Sequence, residues 1–228
     1  MPLSRSLAAM ALSLCALGAT GCDNVSFKVK GPSLELPGFS YNSNKLNPLQ
    51  ISGEKKWNSG DYKGALEDFD KLIKEEPNNA YAYYSRARTN GPLGKLQEAI
   101  DDANKAIELD PNLADAYDIR GVAKAKMGNS GGAILDYNRA IEIDENHVTA
   151  YGNRGVAKSE LGNQPGALVD INKALEIDPK FARGYTMRAQ SLERQGNITD
   201  ACKDMKKAAS LGDPMAIEIL EDNPGTCK

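Results

Sequence analysis

The 228-residue chain is poor in aromatic residues and has only one histidine. It contains four phenylalanines, one tryptophan and a lone His147. A histidine with no second histidine and no cysteine cluster beside it is a weak candidate for a metal ligand or a general base. We therefore interpret His147 as a solvated loop residue, and we expect neither a metal nor a cofactor.

Familiar signatures of catalysis are also scarce. The sequence has no glycine-rich loop followed by Lys-Ser or Lys-Thr, and no His-Glu-x-x-His. Carboxylate pairs such as Asp101-Asp102 lie in segments with helical spacing of apolar residues, so we interpret them as solvated faces or structural ion pairs. The sequence thus predicts a protein that is not an enzyme.

Positive charge is not in excess either. The chain carries 28 lysines and arginines against 31 acidic residues, a net charge of −3. Proteins that bind nucleic acid usually need a basic surface to neutralise phosphates. We therefore expect no nucleic-acid partner.

What the sequence does contain is a period of 34 residues. Alanines recur at this interval at Ala65, Ala99, Ala133, Ala167 and Ala201. The five units are 46–79, 80–113, 114–147, 148–181 and 182–215. Each unit divides into two helical halves at a glycine turn, as at Gly128-Asn129. A period of this size is typical of a solenoid of stacked helical hairpins, and such solenoids usually bind proteins.

The units resemble the tetratricopeptide repeat family over about three-quarters of the chain. The family's small residues at helix crossings match Gly53, Ala87, Gly121, Gly155 and Ala189. Its bulky packing positions match Phe69, Tyr137, Ile171 and Met205. Its closing proline matches Pro77, Pro111 and Pro179, and Glu145 replaces it in unit three. The resemblance implies an all-α, right-handed solenoid of five stacked hairpins, followed at 216–228 by a capping helix and tail.

Two kinds of charge recur with the same period. Arginines stand at Arg86, Arg120, Arg154 and Arg188, and aspartates at Asp68, Asp102, Asp136, Asp170 and Asp204. The arginines could form an anion-binding row, or each could pair with an aspartate of its own or the preceding hairpin. We favour the ladder of ion pairs, because a partly buried arginine is normally paired and its fork fits a carboxylate.

The resemblance also places a protein-binding groove on the concave face, which the first helices of the units form. The residues in register for this groove are Tyr81, Tyr84 and Arg88 in unit two, Asp115, Asp118 and Val122 in unit three, Thr149, Asn153 and Val156 in unit four, and Arg183 and Gln190 in unit five. Tyrosine and arginine are common anchors of protein interfaces. The alternative is that Tyr81 or Tyr84 only covers the open side of unit one.

The first 21 residues are typical of an export signal. Arg5 precedes an apolar run at 7–19 that is too short to span a membrane comfortably. The stretch Ala19-Thr20-Gly21-Cys22 resembles the lipobox of bacterial lipoproteins, in which the cysteine is acylated. We favour a lipid anchor at Cys22 on the periplasmic face of a bacterial membrane; the alternative is a conventional leader that leaves a free thiol. Residues 22–45 then form a flexible spacer, with a short strand at 25–29 as the alternative.

The C-terminal residues predict a capping helix that a disulfide joins to the last repeat unit. A second helix of unit five at 199–211 would have Thr199 as its N-cap. Pro214 would begin a last helix whose apolar side is formed by Met215, Ile217, Ile219 and Leu220. That helix, running back, would bring Cys227 to Cys202, and export favours a disulfide between them over two free thiols.

These features together predict a non-enzymatic scaffold for protein–protein interaction in the cell envelope. Its groove would serve the assembly of membrane or envelope complexes. The alternative is a module that binds an envelope ligand, such as a peptide or peptidoglycan, for an enzyme partner.

Overall fold

A computed structural model describes residues 47–222 and Cys227. The leader, Cys22 and the spacer lie outside these residues. The described helices are α1 (Pro48–Asn58), α2 (Tyr62–Glu75), α3 (Ala80–Asn90), α4 (Leu96–Leu109), α5 (Ala114–Lys126), α6 (Ser130–Ile143), α7 (Val148–Glu160), α8 (Gln164–Ile177), α9 (Ala182–Arg194), α10 (Ile198–Ser210) and α11 (Pro214–Asp222). None of the helices in this part of the chain has both the length and the apolar character required to cross a bilayer.

The first ten helices form five hairpins, α1–α2, α3–α4, α5–α6, α7–α8 and α9–α10. Each second helix also contacts the first helix of the next hairpin, and the first helices contact one another from hairpin to hairpin. The first helices therefore form an inner layer and the second helices an outer layer. Helix α11 packs against α10 at the end of the stack. The predicted all-α solenoid of five hairpins with a C-terminal cap is confirmed.

A glycine with positive φ closes the turn inside each hairpin. Gly128 and Gly162 have φ values of 83° and 85°, a backbone region that residues with a Cβ rarely adopt. The asparagine that follows each of them caps the second helix. Asn129 Oδ1 accepts the Gly132 N–H at 2.8 Å, and Asn163 Oδ1 accepts the Gly166 N–H at 3.0 Å. The glycine thus turns the chain, and its neighbour satisfies a free helix-end donor.

Small residues let the two helices of a hairpin approach closely. A Cβ added to Gly121 would lie 2.6 Å from Cε1 of Tyr137. A Cβ on Gly155 would lie 2.6 Å from Cγ1 of Ile171 and 2.9 Å from the carbonyl oxygen of Ala167. Tyr137 and Ile171 are buried. Each glycine therefore leaves the space that a bulky residue of the second helix fills.

The capping residue predicted for α10 is wrong. The helix begins at Ile198, and its N-cap is Asn197, whose Oδ1 accepts the Asp200 N–H at 3.3 Å. Asn197 follows a glycine with positive φ, as Asn129 and Asn163 do, so the turn chemistry of the repeat overrides the threonine two residues later.

The apolar side predicted for α11 is only half right. The helix begins at Pro214 as expected, and Ile219 and Leu220 pack beside Met205. Met215 and Ile217, however, are exposed, and Ala216 is the buried residue. Asp213 causes this orientation, because its Oδ1 accepts both the Ala216 N–H and the Thr186 hydroxyl, each at 2.9 Å. The first turn is thereby fixed with Ala216 facing α9 and α10.

Cys227 lies beside α10. The Sγ atoms of Cys202 and Cys227 are 2.06 Å apart, joined as a disulfide, and their Cα atoms are 5.2 Å apart. The bridge encloses α11 and so ties the cap to the last hairpin.

Candidate functional site

Each of the four repeated arginines forms an ion pair with an aspartate of its own hairpin. In the fourth hairpin, Arg154 Nε and Nη2 donate to the two carboxylate oxygens of Asp170 at 2.8 and 2.7 Å, and Nη1 donates to Asn138 Oδ1 at 2.7 Å. The same arrangement joins Arg86 to Asp102 and Asp70, Arg120 to Asp136 and Asn104, and Arg188 to Asp204 and Asn172. The predicted ladder is confirmed. An anion-binding row is excluded at these positions because the guanidinium donors already have partners.

The recurring tyrosines support the ladder. The guanidinium carbon of Arg154 lies 5.3 Å from the ring centroid of Tyr151, three residues earlier on the same helix. The other three arginines stack on their tyrosines in the same way. A cation over an aromatic face is held by the ring quadrupole. The tyrosines of the 34-residue series therefore stack on the arginines that join neighbouring hairpins.

Glu54 of α1 binds Tyr81 and Arg88, two of the residues of unit two that are predicted to line the groove. It forms an ion pair with Arg88 and accepts the hydroxyl of Tyr81 at 3.0 Å and that of Ser85 at 3.2 Å. The guanidinium of Arg88 also lies 4.1 Å from the ring centroid of Trp57. Burial, with the nearby Glu54 charge, raises the pKa of Tyr81 to about 12. These side chains join hairpin two to hairpin one.

The prediction of an exposed hot spot is therefore corrected for this cluster. Tyr84 is 9% exposed and packs against Ala106 and Ala116. Tyr81 covers part of the first hairpin, as the alternative interpretation held. A signal was present in the sequence, because Glu54 and Arg88 are 34 residues apart, at equivalent positions of neighbouring first helices.

Asp118 is likewise a buried joint between two hairpins. Its Oδ2 accepts the Thr149 hydroxyl at 2.9 Å, and its Oδ1 accepts an N–H of Asn153 at 3.0 Å. Burial, which penalises the charged form, raises the pKa of Asp118. Three predicted groove residues are thus brought together, but Asp118 itself lies under the surface.

His147 belongs to the same network, and its interpretation as a solvated residue is wrong. It is the N-cap of α7 and is 8% exposed; its Nδ1 accepts the Ala150 N–H at 3.3 Å. Its Nε2 lies 3.4 Å from Oδ1 of Asp115. Burial lowers the pKa of His147, but the nearby carboxylates of Asp115 and Asp118 outweigh this effect, and the pKa is raised. Within residues 47–222, no group of histidine, cysteine and acidic residues is arranged to hold a metal.

Ser130 lies in a Gly-x-Ser-x-Gly stretch, residues 128–132, which the sequence interpretation missed. This pattern marks the nucleophile of many hydrolases, where it joins a strand to a helix. Here it joins α5 to α6, and the buried Ser130 hydroxyl donates to Glu160 Oε2 at 2.7 Å. The single histidine caps α7 and contacts Thr149 and Ala150 instead. The geometry gives the serine no histidine base, so the stretch is a helix–helix turn.

An open part of the inner layer remains on the last three hairpins. We define the α5–α7–α9 face by Asp115, Val122, Val156, Arg183 and Gln190. Val122 and Val156 occupy equivalent, half-buried positions of α5 and α7, while Asp115 and Arg183 are exposed in the first turns of α5 and α9. Gln190 is half-buried on α9. The face therefore offers an apolar floor with an acid at one end and a base at the other.

Comparison with known proteins agrees with this architecture. Models of the tetratricopeptide repeat match residues 53–114, 114–147, 148–181 and 171–203. The solved structure of MamA is 30% identical over 72% of this chain and 96% of its own, with a TM-score of 0.56. TTC0263, a thermophilic TPR protein of Thermus thermophilus, is 20% identical over 79% and 97%, with a TM-score of 0.69.

YrrB, described as a TPR protein with an unusual peptide-binding site, is 21% identical over 79% of this chain and 94% of its own, with a TM-score of 0.53. Among curated proteins, no match is found. The matched family models run without a gap from residue 53 to residue 203, which is more than half of the chain. With the hairpins, glycine turns and small-to-large crossings described above, the chain belongs to the tetratricopeptide repeat family.

Proposed function

We propose that the protein is a non-enzymatic scaffold of the bacterial cell envelope that holds a segment of another protein on the α5–α7–α9 face. The observation that carries this proposal is the division of the inner layer into two parts. In the first two hairpins, Glu54 binds Tyr81 and Arg88, so these side chains are already occupied. In the last three hairpins, Val122 and Val156 are half-buried and Arg183 is exposed, so these side chains can contact a partner.

The side chains of the α5–α7–α9 face indicate which residues a partner should present to it. Half-buried valines favour an apolar side chain, which loses water-exposed surface on binding. The exposed carboxylate of Asp115 favours a basic group, and the exposed guanidinium of Arg183 favours a carboxylate. An extended segment with a basic and an acidic residue on either side of an apolar one fits this order. The buried Asp118 network holds α5 and α7 together, so the surface is formed before the partner arrives.

The envelope location rests on the sequence of the leader and of Ala19-Thr20-Gly21-Cys22. An acylated Cys22 would attach the protein to the membrane, and the spacer at 22–45 would separate the solenoid from it. Labelling of cells with a fatty-acid analogue tests the anchor. We expect label on the wild type and none on Cys22→Ser. Equal labelling of both would contradict acylation at Cys22.

The groove is tested by reversing both of its charges. We expect Asp115→Lys with Arg183→Glu to reduce partner capture from solubilised membranes at least fivefold, measured by quantitative mass spectrometry. The melting temperature of Arg183→Glu should change little, because this side chain is exposed. Asp115→Lys also removes the contact with His147 Nε2, so circular dichroism first verifies that each variant is folded. Lys74→Glu, an exposed charge reversal on α2, serves as the matched control. Full capture by the folded double variant would move the site away from this face.

The same preparation separates the two candidate ligand classes. Captured proteins that depend on Asp115 and Arg183 support the scaffold. Retention of the wild type on isolated cell wall, with no protein captured, would instead favour a ligand-binding module for peptidoglycan.

A further inference from the structure

The outer layer carries an apolar patch that the repeat does not require. Leu135 of α6 and Val169 of α8 are 70% and 67% exposed. They are 34 residues apart, and the other three hairpins have Glu67, Asp101 and Lys203 at the same position. This solvent-facing position is thus charged in every hairpin except the third and fourth.

The same two hairpins have two further exposed apolar side chains. Met127 and Leu161, at equivalent positions of the turns before α6 and α8, are 53% and 60% exposed. We define the outer apolar patch as Met127, Leu135, Leu161 and Val169. Single exposed apolar residues are normal, but a group of them with a polar rim marks an interaction surface.

The helices on either side of the patch carry opposite charges. On α4, Glu98, Asp101 and Glu108 are exposed. Glu108 pairs with the half-buried Lys105 of its own helix, which leaves the charges of Glu98 and Asp101. On α10, Lys203, Lys206 and Lys207 are exposed. Lys203 pairs with the half-buried Asp200 of its own helix, which leaves the charges of Lys206 and Lys207. The remaining aspartates of these helices, Asp102 and Asp204, are buried and paired with arginines. The outer surface of α4 is therefore acidic, and that of α10 is basic.

We propose that the outer apolar patch joins two copies of this chain about a two-fold axis that runs parallel to α6 and α8 and passes between them. This rotation places α6 of one copy on α8 of the other, so that Leu135 meets Val169 twice. It also places the acidic α4 of each copy beside the basic α10 of the other. A surface that is complementary to itself in this way is what an isologous dimer requires.

The charge pattern selects this axis over the other possible one. A two-fold axis perpendicular to the helices would place α4 on α4 and α10 on α10. Acid would then face acid and lysine would face lysine, and like charges across an interface disfavour association. On α6 and α8, Arg139 and Lys173 are neutralised by Glu142 and Glu176 of their own helices, so they oppose neither arrangement.

A second copy fits this surface better than a lipid membrane does. An anionic membrane would attract α10 but would be repelled by the acidic α4 on the opposite flank. A standard interface buries about 800 Å² on each partner. Four side chains provide less area than this, so α4 and α10 must also contact the other copy.

Sedimentation velocity of the exported full chain tests this proposal. The chain carries Cys22→Ser, so that no acyl group can cause association. We expect a monomer–dimer equilibrium, and at least a tenfold rise of its dissociation constant with Leu135→Glu and Val169→Glu combined. Ile51→Glu on α1 is the matched control, since Ile51 is 54% exposed but lies outside the patch. Circular dichroism verifies that each variant is folded.

A charge-reversal cycle tests the axis. Asp101→Lys alone and Lys203→Asp alone should each weaken the dimer, because each places like charges on opposite copies. The two together should restore it. No restoration by the double reversal would overturn the two-fold arrangement.

Other results would overturn the patch itself. A monomer at every concentration, or a dimer that Leu135→Glu with Val169→Glu leaves intact, would contradict it. Binding of the monomer to phosphatidylglycerol vesicles that these substitutions abolish would assign the patch to a membrane instead. The outer apolar patch does not include the α5–α7–α9 face. Asp115→Lys with Arg183→Glu should therefore leave the dimer unchanged.

Discussion

Arg154 donates two parallel hydrogen bonds to Asp170, from Nε at 2.8 Å and from Nη2 at 2.7 Å, and its Nη1 donates a third to Asn138 of the preceding hairpin. One side chain thus closes its own hairpin and attaches it to its neighbour. The arrangement repeats with the period of the sequence. In a solenoid, where each unit contacts only its neighbours, such side chains carry much of the coupling between units.

Loss of this carboxylate should be costly. We expect Asp170→Ala to lower the free energy of unfolding by about 3 kcal/mol, because it leaves the Arg154 and Lys158 cations without their buried counter-charge. Urea unfolding followed by circular dichroism measures it. Glu142→Ala, which removes an exposed ion pair with Arg139, should change stability little. Equal losses in the two variants would mean that the ladder is only a surface feature.

The close helix crossings make a second prediction. We expect Gly155→Ala to destabilise the protein by about 2 kcal/mol or more, because its Cβ would meet Ile171 and the backbone of Ala167. Gly131→Ala, at a helical glycine with no atom within 4 Å of the added Cβ, should stabilise it by about 0.5 kcal/mol. Thermal melting compares the two variants. The same sign for both would contradict the close approach at Gly155.

Features that recur with the period could be predicted from the sequence. The hairpins, the glycine turns and the small residues opposite Tyr137 and Ile171 all follow from it, because each copy confirms the others. The arginine ladder could also be inferred, since opposite charges recur at fixed places.

Features that occur once could not be predicted in the same way. Asp118 and His147 have no equivalents in the other units, so nothing in the sequence shows that one is buried and the other caps a helix. The orientation of α11 depends on Asp213 reaching Thr186 in another helix. Such contacts join residues about 30 positions apart through side chains, and no local pattern encodes them.

The buried Asp118 should make stability depend on pH. Its pKa lies above the usual 3.8, so the folded chain binds this proton more tightly than the unfolded chain, and its contribution to stability falls as pH rises above about 4. We expect the stability difference between the wild type and Asp118→Asn to shift in favour of the variant as pH rises from about 4. Urea unfolding at several pH values measures it, and a difference that is flat across these pH values would contradict a raised pKa.

His147 lies beside Asp118 and also contributes to the pH dependence of stability. Its pKa is raised above 6.5, so its contribution has the same sign but is lost only as pH rises further, through the folded-state pKa. His147→Gln removes a positive charge that lowers the pKa of Asp118, so it should raise that pKa further and move the Asp118-dependent loss of stability to higher pH.

The disulfide between Cys202 and Cys227 should hold α11 on the end of the solenoid. The two cysteines are 25 residues apart, and closing a loop of this length stabilises the folded state by about 3 kcal/mol in the chain-entropy model. We expect reductant to lower the melting temperature of the exported protein. Cys202→Ala with Cys227→Ala should melt where the reduced wild type melts and should not respond to reductant. Non-reducing peptide mapping shows the bond directly. Full alkylation of both cysteines without reductant would contradict the bridge and, with it, the packing of α11 against α10.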